Sequence, residues 1–300
     1  MKSRFSLRID LHLTTVILIA VIAALPFITQ SGLPRHTDLE LHVFRAAEYS
    51  QVLSGGVLYP RWAPDFYYGY GYPIFNYYAP FTYALASLFA IPFGIVAGVK
   101  GAILLAFFLA AIGMYYFARR HFGSIGGVIG SAAFVLSPYI LFIDPLMRGD
   151  LAEFFALSLI PWLFLVFDRP AQPLGRTQAY RALVLGILIH SHNLTALFAL
   201  GILAAYLLWR GLTIDTPRRW VADFGAVVFA LLLTSIFWLP FIAERSAIRL
   251  DVAGPGHFDY HNHFIQLSML LSPSPAIDLG ATTPKFIYNL GLVQWLLIIP

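Results

Sequence analysis

Residues 11–28 read LHLTTVILIAVIAALPFI, eighteen consecutive positions without Asp, Glu, Lys or Arg, entered from a flank that carries Lys2, Arg4 and Arg8. At 1.5 Å per residue such a helix approaches the roughly 30 Å hydrocarbon core of a bilayer. A basic flank is shared by cleaved leaders and retained anchors. Because the run is long and no small-residue cleavage site follows, the segment is expected to stay as a first span. The rest of the chain agrees: 59% of the 300 residues are hydrophobic and 11% charged, where a soluble domain has about a quarter charged.

Further apolar runs occur at about 101–118, 124–143, 152–167 and 221–242. A split pair crosses 181–209, interrupted by HSHN (190–193), and another run from about 286 is still apolar at Pro300. The expected fold is therefore all-α: a polytopic transmembrane helix bundle of about seven to eight spans. It forms a single domain, 1–300, that breaks off inside its last span. Two long loops are expected on one side, 31–100 with juxtamembrane or re-entrant helices, and 243–287.

The segment 79–99 is apolar but holds Pro80 and Pro92, and whether it crosses sets the orientation of everything after it. If it lies along or dips into the surface and returns, eleven of the nineteen basic residues fall on the N-terminal side; if it crosses, only eight do. Basic residues favour the cytoplasm. The non-crossing arrangement follows, with the N-terminus cytoplasmic and the chain in the cell (plasma or inner) membrane. Eleven of the fifteen acids and seven of the nine histidines then share the outer face. Basic residues form short clusters between spans and no stripe, so no nucleic-acid partner is expected. The chain has no cysteine, which excludes disulfides and thiolate metal sites.

On that outer face the first loop opens with HTDLELH (36–42). If the stretch is helical, Asp38, His42, Arg45 and Tyr49 form one stripe at i, i+4, i+7 and i+11; if extended, His36, Asp38, Glu40 and His42 share a face. A solvated interfacial helix would carry the same charges. Next comes YPRWAPDFYYGYGYPIFNYYAP (59–80), rich in tyrosine and including Arg61, Trp62 and Tyr78. It reads as a headgroup-level aromatic belt or as a wall that binds sugar rings or lipid. MRGDLAEFF (147–155) sets Arg148, Asp150 and Glu153 at the start of a span, where acids are also favoured by the helix dipole. His190, His192 and Asn193 interrupt a span, and GHFDYHNHF (256–264) adds His261 and His263. With His42, these imidazoles are candidate ligands for a divalent metal ion, or are simply solvated.

This arrangement resembles the polytopic GT-C glycosyltransferases: one span, a long outer loop with an early acid, here Asp38, a Pro- and aromatic-rich stretch, then a second acid-bearing loop, here RGDLAEFF (148–155). RGDLAEFF, HSHN, FWLPFIAE (237–244) and FDYHNHF (258–264) also look like bacterial membrane proteins called 6-pyruvoyl-tetrahydropterin-synthase-related. The soluble pterin enzyme is a small α/β protein that apolar spans cannot build, so the GT-C likeness is the informative one. It implies a sugar transferred from a polyprenyl-phosphate-linked donor to an envelope acceptor, with membrane lipids as surroundings. Carried over, Asp38 is the catalytic base, Asp150 and Glu153 are the second-loop acids, and a cation meets the leaving phosphate. Arg45, Arg61, Arg148 or a metal held by His42, His261 and His263 could supply that charge. Trp62, Tyr78, His190, His192 and Asn193 complete the expected substrate wall.

A transporter is the principal rival, since broken helices such as that at HSHN often mark transport sites. Against it, the span interiors at 12–28, 101–117, 125–143, 154–167 and 224–243 hold no charge. A non-catalytic envelope-assembly protein would need only the belt and the packing.

Overall fold

The computed structural model describes residues 10–34, 36–168, 175–249, 259, 261, 264–271 and 289–298. Among them all regular structure is helical, with no strand beyond one isolated bridge between Ala63 and Tyr72. The helices are α1 (Leu11–Thr29), α2 (Leu39–Ser54), α3 (Ile74–Tyr77), α4 (Phe81–Phe93), α5 (Ile95–Val135) and, after a π-helical segment at Tyr139–Arg148, α6 (Leu151–Asp168). They continue as α7 (Arg176–Ser191), α8 (Asn193–Thr213), α9 (Pro217–Leu233), α10 (Ser235–Ala243), α11 (Leu267–Leu271) and α12 (Leu292–Ile298).

Four elements are by themselves long and apolar enough to cross a membrane: Leu11–Thr29, Ile95–Arg148, Leu151–Asp168 and Asn193–Thr213. A fifth appears if α9 and α10, bent by 67° at Thr234, are one span. Two features separate this count from the seven to eight expected. The runs at 101–118 and 124–143 belong to one helical element that folds back at Gly123, whose φ of 72° lies in the left-handed region. The run from 286 lies largely outside the described residues.

Gly123 is thus a turn, whereas Gly127 and Ser131 pack as small residues do between apposed helices. A Cβ on Gly127 would lie 2.8 Å from the Tyr115 ring, and Ser131 Oγ donates to the Ala111 carbonyl at 2.9 Å. The first arm of α5 is the centre of the bundle, with α1, α4 and α6 around it; Ala20, Ala24, Ala102, Ala106 and Ala110 are fully buried between them. At 1.5 Å per residue α4 is about 20 Å long, short of a hydrocarbon core. It doubles back into α5 at Gly94 (φ 82°), with Ala86 and Ala90 against Gly98. Residues 79–99 therefore hold one arm of a helical hairpin, α4, with its turn and the start of the other arm.

Charge divides the bundle into two ends. At one, Asp10 pairs with Arg119 at 3.8 Å, Arg120 and Arg210 with Asp168, Arg210 and Arg219 with Asp215, and Arg181 with Asp223. At the other, Lys100 donates to the Gln30 and Gly32 carbonyls where α1 ends. His36, Asp38, His42, the acids of 144–153 and His192 gather at that second end.

Candidate functional site

The start of α2 is joined to the loop before α6 by main chain. Thr37 N donates to the Met147 carbonyl at 3.1 Å and Asp38 N to the Arg148 carbonyl at 2.7 Å, with Thr37 Oγ1 also bound to Arg148 at 3.0 Å. His36 Nδ1 accepts from Leu39 N at 3.1 Å, satisfying one of the orphan amides at the helix start. This close approach needs Gly149. Its φ is 72°, and a Cβ there would sit 2.6 Å from Leu39 Cβ and 3.0 Å from Leu39 N. Gly149→Ala is expected to destabilise the folded protein by at least about 1–2 kcal/mol from the left-handed backbone alone, read as a lowered Tm in detergent. An unchanged Tm would show that the contact between α2 and this loop yields freely.

Arg148 is surrounded by acceptors: Nη1 lies 2.7 Å from Tyr139 Oη, 2.9 Å from Asp144 Oδ1 and 2.9 Å from Glu153 Oε2, and Nη2 lies 3.4 Å from Asp150 Oδ2. Asp144 is fully buried, and its Oδ2 has no hydrogen-bond partner. Asp150 caps α6, its Oδ1 accepting from Ala152 N at 3.1 Å and Glu153 N at 3.0 Å. It also meets His42 Nε2 at 3.4 Å. Burial alone would raise the Asp150 carboxyl; the His42 and His192 imidazoles, the Glu153 amide and Arg148 outweigh it and hold it below the usual carboxylate range.

The stripe expected of a helical 38–49 is present. His42 is buried, with Nδ1 2.8 Å from Tyr83 Oη. Arg45 Nη1 donates to the same hydroxyl at 3.2 Å while its guanidinium lies 4.6 Å from the Tyr78 ring centre. Tyr49 packs edge-on against Phe75 at 5.1 Å. Asp38, at the rim, stays exposed. Its carboxyl is raised above the usual range by the part that neighbours shield from water and then by the Asp150 charge.

Burial depresses His42 to about 4 despite the Asp150 charge. Above the unfolded value near 6.5 the imidazole is neutral in both states. As pH falls from 6.5 towards 4 only the unfolded chain takes the proton, so stability is lost in that window. Between pH 7 and 5 the loss is on the order of 2 kcal/mol. Wild-type Tm should therefore drop more steeply over this range than that of His42→Gln; parallel slopes would refute the assignment.

His192 lies at the break between α7 and α8. Its Nδ1 lies 2.8 Å from Thr195 Oγ1 and 3.4 Å from Thr195 N. Burial lowers its pKa. One ligand atom from each of Asp150, Glu153 and His192 lies within 4.8 Å of the others, a carboxylate–imidazole set of the kind that holds divalent cations. This set differs from the expected His42, His261 and His263. His42 is committed to Tyr83 and Asp150, His261 is exposed and bound to Asp259 at 2.7 Å, and His263 lies outside the described residues.

Of the other expected residues, Tyr78 reaches the acids, its Oη donating to Asp150 Oδ1 at 3.5 Å. Asn193 is a clamp: its Oδ1 accepts from Ala79 N at 3.0 Å and its Nδ2 donates to the Tyr77 carbonyl at 2.8 Å, which holds Tyr78 between them. His190 bonds the Gly186 carbonyl and packs on Tyr59 and Phe237. Arg61 donates to the Ile236 carbonyl at 3.3 Å. Trp62 lies so close over Gly71 that a Cβ there would come within 2.2 Å of its Nε1. Sequence reasoning missed Tyr83, Tyr139, Asp144 and Thr195 as members of the site. Only Asp144 left a readable sign, four residues before Arg148.

The sequence profile of the 6-pyruvoyl-tetrahydropterin synthase related domain, a membrane protein, matches residues 75–273. The chain belongs to that family. The match takes in the acid loop, HSHN and Glu244; Asp38, His42 and Arg45 precede it. No curated protein matches this family member by sequence. Among solved structures, the crystal structure of the Archaeoglobus fulgidus oligosaccharyltransferase in its apo form is similar, with a TM-score of 0.54 at 16% identity. The likeness covers 78% of this chain and 30% of that one, so the chain spans under a third of the enzyme's length. At this identity it shows the fold alone, a membrane helix bundle like part of that enzyme.

Proposed function

We propose that this chain carries the sugar-transfer site of a GT-C-like glycosyltransferase, moving a sugar from a polyprenyl-phosphate-linked donor to an envelope acceptor at the outer membrane face. The observation that carries the reading is the main-chain pairing of Thr37 and Asp38 with Met147 and Arg148. It sets the first-loop acid beside the second-loop acids, at one end of a bundle with an oligosaccharyltransferase-like fold.

In this reading Asp38 accepts the proton of the acceptor hydroxyl as that oxygen bonds to the anomeric carbon. The bond from that carbon to the donor phosphate breaks, and the phosphate leaves with the electron pair. The raised, exposed Asp38 carboxyl suits a base, whereas Asp150 is buried, N-capping and paired.

The residues also fit a divalent cation. Asp38, Asp144, Asp150 and Glu153 carry four formal negative charges against the two positive charges of Arg45 and Arg148, and Asp144 Oδ2 is buried without a partner. Asp150, Glu153 and His192 would hold the ion, which would supply positive charge to the leaving phosphate. The α7–α8 break lies with these acids at the bundle's end, which supports a surface site over a transport path.

The test is donor consumption by the full chain in proteoliposomes given a polyprenyl-phosphate sugar. Release of polyprenyl phosphate with glycosylated acceptor is expected. Movement of a solute across the vesicle without donor consumption would overturn the reading.

A further inference from the structure

We infer that Arg45 is the residue that grips the phosphate of the lipid-linked donor, an assignment that rests on the proposed sugar transfer and narrows it. The sequence singles out three guanidinium groups at this end of the bundle, and their surroundings separate them. Arg148 is enclosed by Asp144, Asp150, Glu153 and Tyr139, so its charge is already matched. Arg61 donates to a main-chain carbonyl of α10, away from the acids.

Arg45 differs from both. Its polar contacts are the Tyr83 hydroxyl at 3.2 Å and the Tyr78 ring face at 4.6 Å, its Nε is buried without a partner, and no carboxylate lies within ion-pair distance among the described residues. Asp150 acts on it from beyond ion-pair distance, so among the described residues no carboxylate occupies its donors. The planar fork of arginine matches two phosphate oxygens at once and sheds water more readily than an ammonium.

The side chain is also held in place beforehand. Tyr83 is fully buried and tied to His42 Nδ1 at 2.8 Å, while Asn193 fixes the main chain on both sides of Tyr78. Little ordering is left for the ligand to impose. Asp38 and Arg45 share one stripe of α2, seven residues and therefore about 10 Å apart along the axis. That separation is on the scale of a base, an acceptor oxygen, an anomeric carbon and its phosphate in line. The donor would lie along α2, its anomeric carbon towards Asp38 and its phosphate towards Arg45.

The test uses wild type, Arg45→Gln and Arg45→Lys full-length chains in phosphatidylcholine nanodiscs, titrated with a polyprenyl monophosphate, the matching polyprenol and inorganic phosphate. Arg45→Gln should weaken polyprenyl phosphate binding about tenfold to a hundredfold, the range for a charge-assisted hydrogen bond, and leave polyprenol binding unchanged. Arg45→Lys should fall between them. The lipid phosphate should bind more tightly than inorganic phosphate. Equal binding by wild type and Arg45→Gln, parallel loss of both lipids, or equal affinity for inorganic and lipid phosphate would each overturn the assignment. Because these probes carry no sugar, binding without transfer would sink the transfer reading and leave Arg45 standing. Transfer with undiminished binding in Arg45→Gln would do the reverse.

Discussion

Asp38→Asn should lower the rate of sugar transfer by about 10²- to 10⁴-fold, the usual weight of a positioned general base, with little change in Tm. The side chain is exposed and makes no capping bond to α2, while the bonds that attach this corner to the acid loop come from main chain and from Thr37. Asparagine keeps the shape and cannot take the proton. It also removes one negative charge beside Asp150, so binding of an anionic lipid should hold or improve. Transfer at the wild-type rate by a folded Asp38→Asn protein would dismiss Asp38 as the base.

The second large effect lies at the opposite end. Arg181 and Asp223 form an ion pair between α7 and α9 with their side chains 0% and 1% exposed. Arg181 also donates to the Val166 and Phe167 carbonyls at the end of α6. Removing one member of such a pair leaves a buried charge and costs about 3–5 kcal/mol, whereas replacing both with apolar residues of similar volume is often neutral. Asp223→Ala should therefore lower the detergent Tm sharply, and Arg181→Met combined with Asp223→Leu should recover most of it. A single variant as stable as wild type would mean that Arg219, 3.8 Å from Asp223, or the α6 carbonyls carry the charge balance instead. Transfer should suffer only through loss of folded protein, since this cluster and the proposed site occupy opposite ends.

Much of the architecture is legible in composition because a lipid solvent imposes a strict demand on uncharged length. The start of α1 and both ends of α6 follow from where charges stop and resume. The stripe of Asp38, His42, Arg45 and Tyr49 follows from helical spacing. Convergence is another matter. Asp38 and Arg148 are 110 positions apart and meet through amide and carbonyl groups, which every residue possesses and no pattern betrays. Gly149 is indispensable there, yet in sequence it is one glycine among twenty-three. The histidine-rich stretch near 261 drew attention because imidazoles are conspicuous, whereas His261 is exposed and bound to Asp259. The set in Asp150, Glu153 and His192 depends on a break between α7 and α8 that brings a third element to the acids. Asn193 shows the same limit: its polarity was visible, but its use as a main-chain clamp required the Tyr77–Ala79 segment to be in place.

The account depends above all on which side of the membrane the acid–imidazole end faces. The chain has no cysteine, so single cysteines report without interference. Tyr70 is 87% exposed on the loop that Asp65 ties to Glu48 and Gln51 of α2, and Arg218 is exposed at the end that holds the Arg181–Asp223 pair. With a membrane-impermeant maleimide on intact cells, Tyr70→Cys should label and Arg218→Cys should label only after permeabilisation. Labelling of Arg218→Cys from outside, with Tyr70→Cys protected until the membrane is opened, would contradict the account.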